Sequence, residues 1–176
     1  MSEVLKEYVR AMSKVDVPDT VSGLLREVIR DMRQAGKLAH VRFDMDTWAR
    51  KENGNVCYVC AAGAWMYAKT GFDKGNIQEV AGFITDMADD MADDMADDPR
   101  NIMHAIDALR AMDTEDFIHC LNVRYTKLPS DDFDDVYYKL VSDLDKCFPR
   151  TYNEENSRSV ITAFEKCVKV LEDHGY

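Results

Sequence analysis

The chain has 176 residues, of which 46% are hydrophobic and 31% charged, a globular composition long enough for one domain with a real core. Its net charge of −11 and pI of about 4.7 argue against nucleic acid or an anionic membrane as direct ligands, because both would be repelled. The acidity is uneven: residues 1–53 hold ten Lys/Arg against nine Asp/Glu, and residues 54–176 hold twelve against twenty-four.

The start, MSEVLKEYVR, is charged throughout and reads as no signal peptide. No apolar run approaches the ~20 residues of a membrane span. Five cysteines at irregular spacing fit reduced thiols better than a disulfide framework. The expected compartment is the cytoplasm.

In chain order, Val4, Leu5, Tyr8, Val9, Met12 and Val15 predict an amphipathic helix over 3–15. Pro18 and Asp19 break and restart it, and Val21, Leu24, Leu25, Val28, Ile29 and Met32 predict a second helix ending near Gly36. Val41, Phe43 and Met45 alternate with polar residues, as in a short strand. Val56 to Val59 fits either a partner strand, making a hairpin within 40–59, or the first turn of the next helix. The second reading is preferred, with a helix from Val56 to Lys69, because Cys60-Ala-Ala-Gly-Ala64 runs unbroken into Trp65-Met66-Tyr67-Ala68. That helix is apolar on nearly every face, which predicts a buried central element.

Asn76 with Glu79 resembles a capping box, and Ile77, Val80, Ile84, Met87, Met91 and Met95 form one helical stripe. Pro99 ends that helix, with Asp98-Pro99 as N-cap and N1 of the next, which uses Ile102, Ala105, Ile106, Leu109 and Met112. Asp113 restarts the chain into Phe117, Ile118 and Leu121. After a linker at Lys127-Leu-Pro129, Ser130 is the expected cap of a helix with Phe133, Val136, Tyr137, Leu140, Val141, Leu144 and Phe148 as its stripe. Thr151 with Glu154, or Asn153, is the expected cap of the last helix, which carries Val160, Ile161, Phe164, Val168 and Leu171. The fold class expected is all-α: a single domain over 1–176, a multi-helix bundle around one buried helix, with a short hairpin near 40–59 as a variant.

One stretch is not demanded by packing. Residues 86–98 read D-MADD-MADD-MADD and place Asp86, Asp89, Asp90, Asp93, Asp94, Asp97 and Asp98 within thirteen residues without one basic side chain. In a helix, Asp89/Asp93 and Asp90/Asp94 are i,i+4 like-charge pairs, each destabilising by roughly 0.2–0.5 kcal/mol. At ~1.5 Å rise per residue these carboxylates recur about every 3 Å, close to the ~3.4 Å phosphate spacing of one DNA strand. The bland reading is a solvated face opposite a Met stripe, duplicated by replication slippage. The functional reading is an acidic surface for a basic partner. An EF-hand is excluded, since its Gly and its position-12 Glu are missing.

Asp131, Asp132, Asp134 and Asp135 form a second cluster, placed by this reading in a first helical turn, where carboxylates are favoured. Cys57-Tyr-Val-Cys60 is a C-x-x-C, and with His119 and Cys120 it offers a candidate zinc or redox site, although buried core thiols explain it more simply. His40, His104, His119 and His174 are scattered, and no P-loop or G-x-G-x-x-G is present. Asp44-Met-Asp46-Thr-Trp48 is a candidate small-molecule contact or, more simply, an aromatic anchor flanked by solvated carboxylates.

Thr47-Trp48-Ala-Arg50, a polar gap, then Val56-Cys57-x-x-Cys60-Ala-Ala-Gly63-Ala64 resembles uncharacterised phage and bacterial proteins that carry a Trp, a gap and a C-x-x-G-A helix. The resemblance covers about twenty residues and implies no catalytic residues. In charge and size the chain is also similar to phage inhibitors of host defence that mimic DNA.

The reading reached from the sequence is a non-enzymatic acidic protein needing no cofactor. Its partner is a basic protein surface, such as that of a host nucleic-acid-binding protein. Asp86, Asp89, Asp90, Asp93, Asp94 and Asp97, with the 131–135 cluster, carry the contact. The alternatives are a zinc- or thiol-dependent enzyme centred on Cys57 and Cys60, and an assembly protein that oligomerises through the Met-rich helix.

Overall fold

The structure, a computed structural model, describes residues 3–52, 56–70 and 99–176. The expected helix from Asn76, with its Met stripe and its acidic repeat, lies outside the described residues.

The described chain is mostly helical. Its elements are α1 (Glu3–Met12), α2 (Val21–Ala35), β1 (Val41–Phe43), β2 (Ala49–Glu52), β3 (Val56–Val59), α3 (Ala61–Thr70), α4 (Pro99–Arg110), α5 (Thr114–Asn122), α6 (Asp135–Asp145) and α7 (Ser157–Asp173). The α2 stripe is buried as its 3–4 spacing requires. Its cap is Thr20, extended at φ −124°, ψ 148°, whose Oγ1 accepts from the Gly23 N–H at 3.1 Å. At the other end the Gly36 N–H donates to the Met32 carbonyl at 2.9 Å.

The sheet corrects the preferred reading of 56–69. Residues 56–59 are a strand rather than a helical turn, and the helix begins only at Ala61. Burial alternates along Val56-Cys57-Tyr58-Val59, with Cys57 and Val59 inside, so the period is two and the β-branched and aromatic residues sit on a pleat. Strand order is β1-β3-β2. A hairpin near 40–59 does form, but its arms are β2 and β3, paired antiparallel (Ala49↔Val59 to Glu52↔Val56), whereas the 41–45 strand expected as the partner of 56–59 adds as β1 in parallel (Val41↔Cys57 to Phe43↔Val59).

α3 is the buried centre. Ala61 to Met66 are inaccessible on consecutive positions, hence on every face, and the helix touches α1, α2, α4 and β3. α2 and α7 pack side by side, braced on the outside by Arg26–Glu172 at 2.6 Å and by Arg33–Glu165. α4 and α5 form a hairpin whose reversal places Met112 at φ 64° and half exposed, so Met112 leaves the stripe to which its spacing assigned it.

Two expected caps also move. α6 is capped by Asp134, not Ser130, and the Asp134 carboxylate accepts from the Val136 N–H at 2.8 Å. Phe133, at φ 58°, stands between Ser130 and the helix, and a left-handed residue cannot lie inside a right-handed helix. α7 is capped by Asn156, not Thr151 or Asn153, because Asn156 is the extended residue whose side chain reaches two orphan donors, Arg158 N–H (3.0 Å) and Ser159 N–H (3.2 Å).

Candidate functional site

The turn into α6 collects the features that packing leaves unexplained. The chain leaves α5 through a linker pinned by Asn122, whose side-chain amide donates to the Pro129 carbonyl at 3.4 Å. The Phe133 N–H then donates to the Asp131 carbonyl at 2.7 Å, closing a tight turn. Phe133 has φ 58° and is 96% exposed, so the stripe assigned to it begins instead at Tyr137, and Val136 too is half exposed. A bulky residue in the left-handed region is a genuine outlier. Here the outlier directs an aromatic ring into solvent.

Asp131, Asp132 and Asp135 are exposed around that ring, and Asp134 is half-buried as the cap. Helix electrostatics accounts for Asp134 and Asp135 at the α6 N-terminus. It does not account for Phe133.

The turn continues into a second acidic surface. A groove of about 350 Å³ is lined by Asp113, Glu115, Asp116, His119, Asn122, Asp131 and Tyr137. Asp113 caps α5, accepting from the Asp116 N–H at 3.0 Å, and Glu115 and Asp116 fill its first turn. α5 is held to α6 by the Thr114 hydroxyl, which donates to Asp145 at 2.7 Å. The negative potential registers on Tyr137, whose phenol is raised first by burial and then by Glu115 and Asp131. Asp113, Glu115, Asp116 and Phe133 were missed in the sequence as members of this surface. Asp113 read only as the restart of a helix, Glu115 and Asp116 carried no signal of their own, and Phe133 fell on the right spacing for a core stripe.

The remaining candidates separate in the fold. The aspartates of the 86–98 repeat lie outside the described residues. Cys57 is buried on β3. Cys60 is the buried residue before α3, its Sγ accepting from the Gly63 N–H at 3.3 Å, and burial pushes its thiol up to about 12. His119 and Cys120 lie on α5. Among the described residues no group of three or more His, Cys, Asp or Glu is arranged to hold a metal ion. Asp44 accepts from Arg50 at 2.9 Å and from the Asp46 N–H at 3.2 Å, while the Trp48 ring meets His104 edge-on at 4.9 Å, so that segment brackets the sheet to α4. Among the described residues no helix is long and apolar enough to cross a membrane.

Asp131 thus joins the turn that carries Phe133 to the groove lined by Asp113, Glu115 and Asp116 at the α5–α6 junction. No protein family, curated protein or solved structure matches the chain.

Proposed function

We propose that this chain is a non-enzymatic binding protein that docks its acidic surface onto a basic protein partner, with Phe133 as the apolar anchor. The observation that carries the reading is Phe133 itself, almost wholly exposed and in the left-handed region among four aspartates. The left-handed conformation costs an L-residue roughly 1–2 kcal/mol. The turn's backbone bond to Asp131 and the Asp134 cap that follows account for the turn, but not for a large aromatic side chain at its left-handed position, since the ring fills no core among the described residues. At an interface an aromatic anchor ringed by charge is what dominates affinity, while the charges set partner choice and association rate.

The sharpest form of the reading adds the Asp86–Asp98 repeat. On this reading the repeat's seven aspartates, which the sequence pattern spaces like phosphates if helical, make the chain a mimic of nucleic acid, encoded by a phage or mobile element. It would block the basic groove of a host defence system or another DNA- or RNA-binding protein.

The test is capture from host lysate on immobilised protein, at low and high salt. Wild type is compared with Phe133→Ala, with Asn at Asp131, Asp132, Asp134 and Asp135 together, and with Asn across the repeat. A basic partner lost by the turn variants and released by short duplex DNA is the expected result. Retention by the turn variants removes this surface from the mechanism. Loss without competition from DNA keeps the binding surface and removes mimicry.

A further inference from the structure

One side chain in the acidic groove between α5 and α6 lacks a partner. Tyr137, in the first turn of α6, is only 5% exposed, and its ring meets that of Tyr138 edge-on at 5.4 Å. Its hydroxyl makes no hydrogen bond among the described residues, whereas a buried phenol ordinarily finds one. The hydroxyl is not sealed in, either. The fully buried side-chain nitrogens and oxygens left without a partner among the described residues are Asp31 Oδ2 and Trp65 Nε1. The Tyr137 oxygen therefore opens into the groove of about 350 Å³ that the residue lines.

The rest of that lining is rich in acceptors. Asp113, Glu115, Asp116 and Asp131 contribute carboxylates, and of the described lining residues only His119 can carry positive charge. Asp113 already accepts from the Asp116 N–H at 3.0 Å, and Asp116 from the Cys120 thiol at 3.7 Å. The Glu115 and Asp131 carboxylates are exposed and have no ion-pair or hydrogen-bond partner among the described residues. Burial first, then the charges of these two, raise the Tyr137 phenol, so it stays protonated at neutral pH. The groove thus offers two open carboxylates near its rim and a neutral oxygen set deeper.

We propose, resting on the acidic-surface reading above, that this groove receives an arginine side chain of the protein partner, its guanidinium held by Glu115 and Asp131 and donating to the Tyr137 hydroxyl oxygen. The match is one of donor count and shape. A guanidinium is a planar fork with five N–H donors and no acceptor, and it is weakly hydrated. It can meet carboxylates from two elements and still turn an N–H toward the deeper oxygen. An ammonium is a compact, strongly hydrated point charge, which exposed carboxylates satisfy without the hydroxyl. A metal ion fits poorly, since among the described residues no group of three or more His, Cys, Asp or Glu is arranged to hold one. Tyr137 is therefore the residue that separates arginine from lysine.

The test titrates the full chain, by calorimetry at low salt, with two acetylated and amidated peptides of equal length and charge, hexa-arginine and hexalysine. Hexa-arginine is expected to bind roughly tenfold more tightly. Tyr137→Phe keeps the buried ring and should bring the two peptides to within about twofold by weakening hexa-arginine alone. Glu115→Gln combined with Asp131→Asn alters only exposed side chains and should weaken both peptides. Free arginine, whose own carboxylate the groove repels, should not displace hexa-arginine. Equal or absent binding of the two peptides, an arginine preference that survives Tyr137→Phe, or unchanged hexa-arginine affinity in the double variant each overturns the assignment. Displacement by free arginine at matched concentration also overturns it, making the groove a small-molecule site. The Phe133 anchor stands or falls separately, by whether the turn variants keep the partner captured from lysate.

Discussion

The carbonyl of Trp48 lies directly over Gly63: a Cβ on residue 63 would sit 1.6 Å from the Trp48 oxygen. That contact joins the strand-bearing segment to the central helix, and the Trp48 ring continues the bridge to His104 on α4. Gly63→Ala cannot be relieved by rotating a side chain, because the obstacle is backbone. The expected loss is about 3 kcal/mol or more, read as a fall in the urea midpoint. Gly36→Ala is the contrast. Gly36 has φ −63°, and the tightest contact of its added methyl would be the Phe43 ring edge at 3.3 Å, with the Met32 and Arg33 carbonyls at ordinary contact distances of 3.5 and 3.8 Å, so stability should stay within about 1 kcal/mol of wild type. Equal losses in the two variants would refute the backbone contact as the cause.

Cys60 sits beside that contact as the α3 N-cap, its sulfur accepting from Gly63 N–H. A capping role and a redox or metal role diverge on conservative replacement. Cys60→Ser keeps an acceptor at the cap and should lie within about 1 kcal/mol of wild type. Cys60→Ala removes the cap and leaves a small void, costing roughly 1–3 kcal/mol. Chemical denaturation of the three proteins orders them. Serine as damaging as alanine would return attention to thiol chemistry at Cys57 and Cys60.

Long helices with a clean apolar stripe were legible in the sequence: α2 buries every residue its spacing assigns to the core, α7 buries all of its set but the half-buried Ile161, and α3 is the buried centre its all-round apolarity demands. What misled was local competition. Val56–Val59 is apolar and continuous with the helix beyond it, and only pairing with β1 and β2 makes it a strand. At residues 130–135 the expected cap, Ser130, lies four positions before the actual one, Asp134, because the left-handed turn at Phe133 delays the start of the helix. The cluster at 131–135 was visible from composition. Its junction with Asp113, Glu115 and Asp116 was not, because those carboxylates meet it only through the packing of α5 against α6.

Asp143 predicts an acid sensitivity. Its carboxylate accepts from Lys139 at 2.6 Å and Lys146 at 2.8 Å and pairs with His174 at 3.1 Å, tying α6 to the end of α7. Those partners, Lys139 first, hold its carboxyl well below the usual carboxylate range. A group whose folded pKa is depressed contributes stability above its unfolded value of about 4, and that contribution is lost as pH falls below it. Wild type should therefore lose urea stability between about pH 5 and about pH 2 more steeply than Asp143→Asn, and the variant should be the less stable of the two at neutral pH. High salt should narrow the difference, since the cluster is solvent-accessible. Parallel losses in both proteins would exclude Asp143 as a source of the acid limb.

Phe133 predicts a separation of stability from binding. A residue that fills the core cannot be removed without a penalty of several kcal/mol, about 3–5 for Phe→Ala. Phe133 buries almost nothing and occupies a conformation that glycine adopts freely. Phe133→Gly should thus be at least as stable as wild type, by up to about 1 kcal/mol after the extra chain entropy of glycine is set against the relieved strain. Phe133→Ala, which keeps the strain, should be unchanged within about 0.5 kcal/mol. Both should lose the captured basic partner at low salt, where carboxylate attraction alone is strongest. Asn at Asp131, Asp132 and Asp135, leaving the Asp134 cap in place, should slow association and flatten its salt dependence with little change in the dissociation rate. Thermal melts and association kinetics on the same preparations read the two properties separately. A Phe133→Gly variant that melts far below wild type would show the ring to be structural, and with it the main support for an anchor at this turn would go.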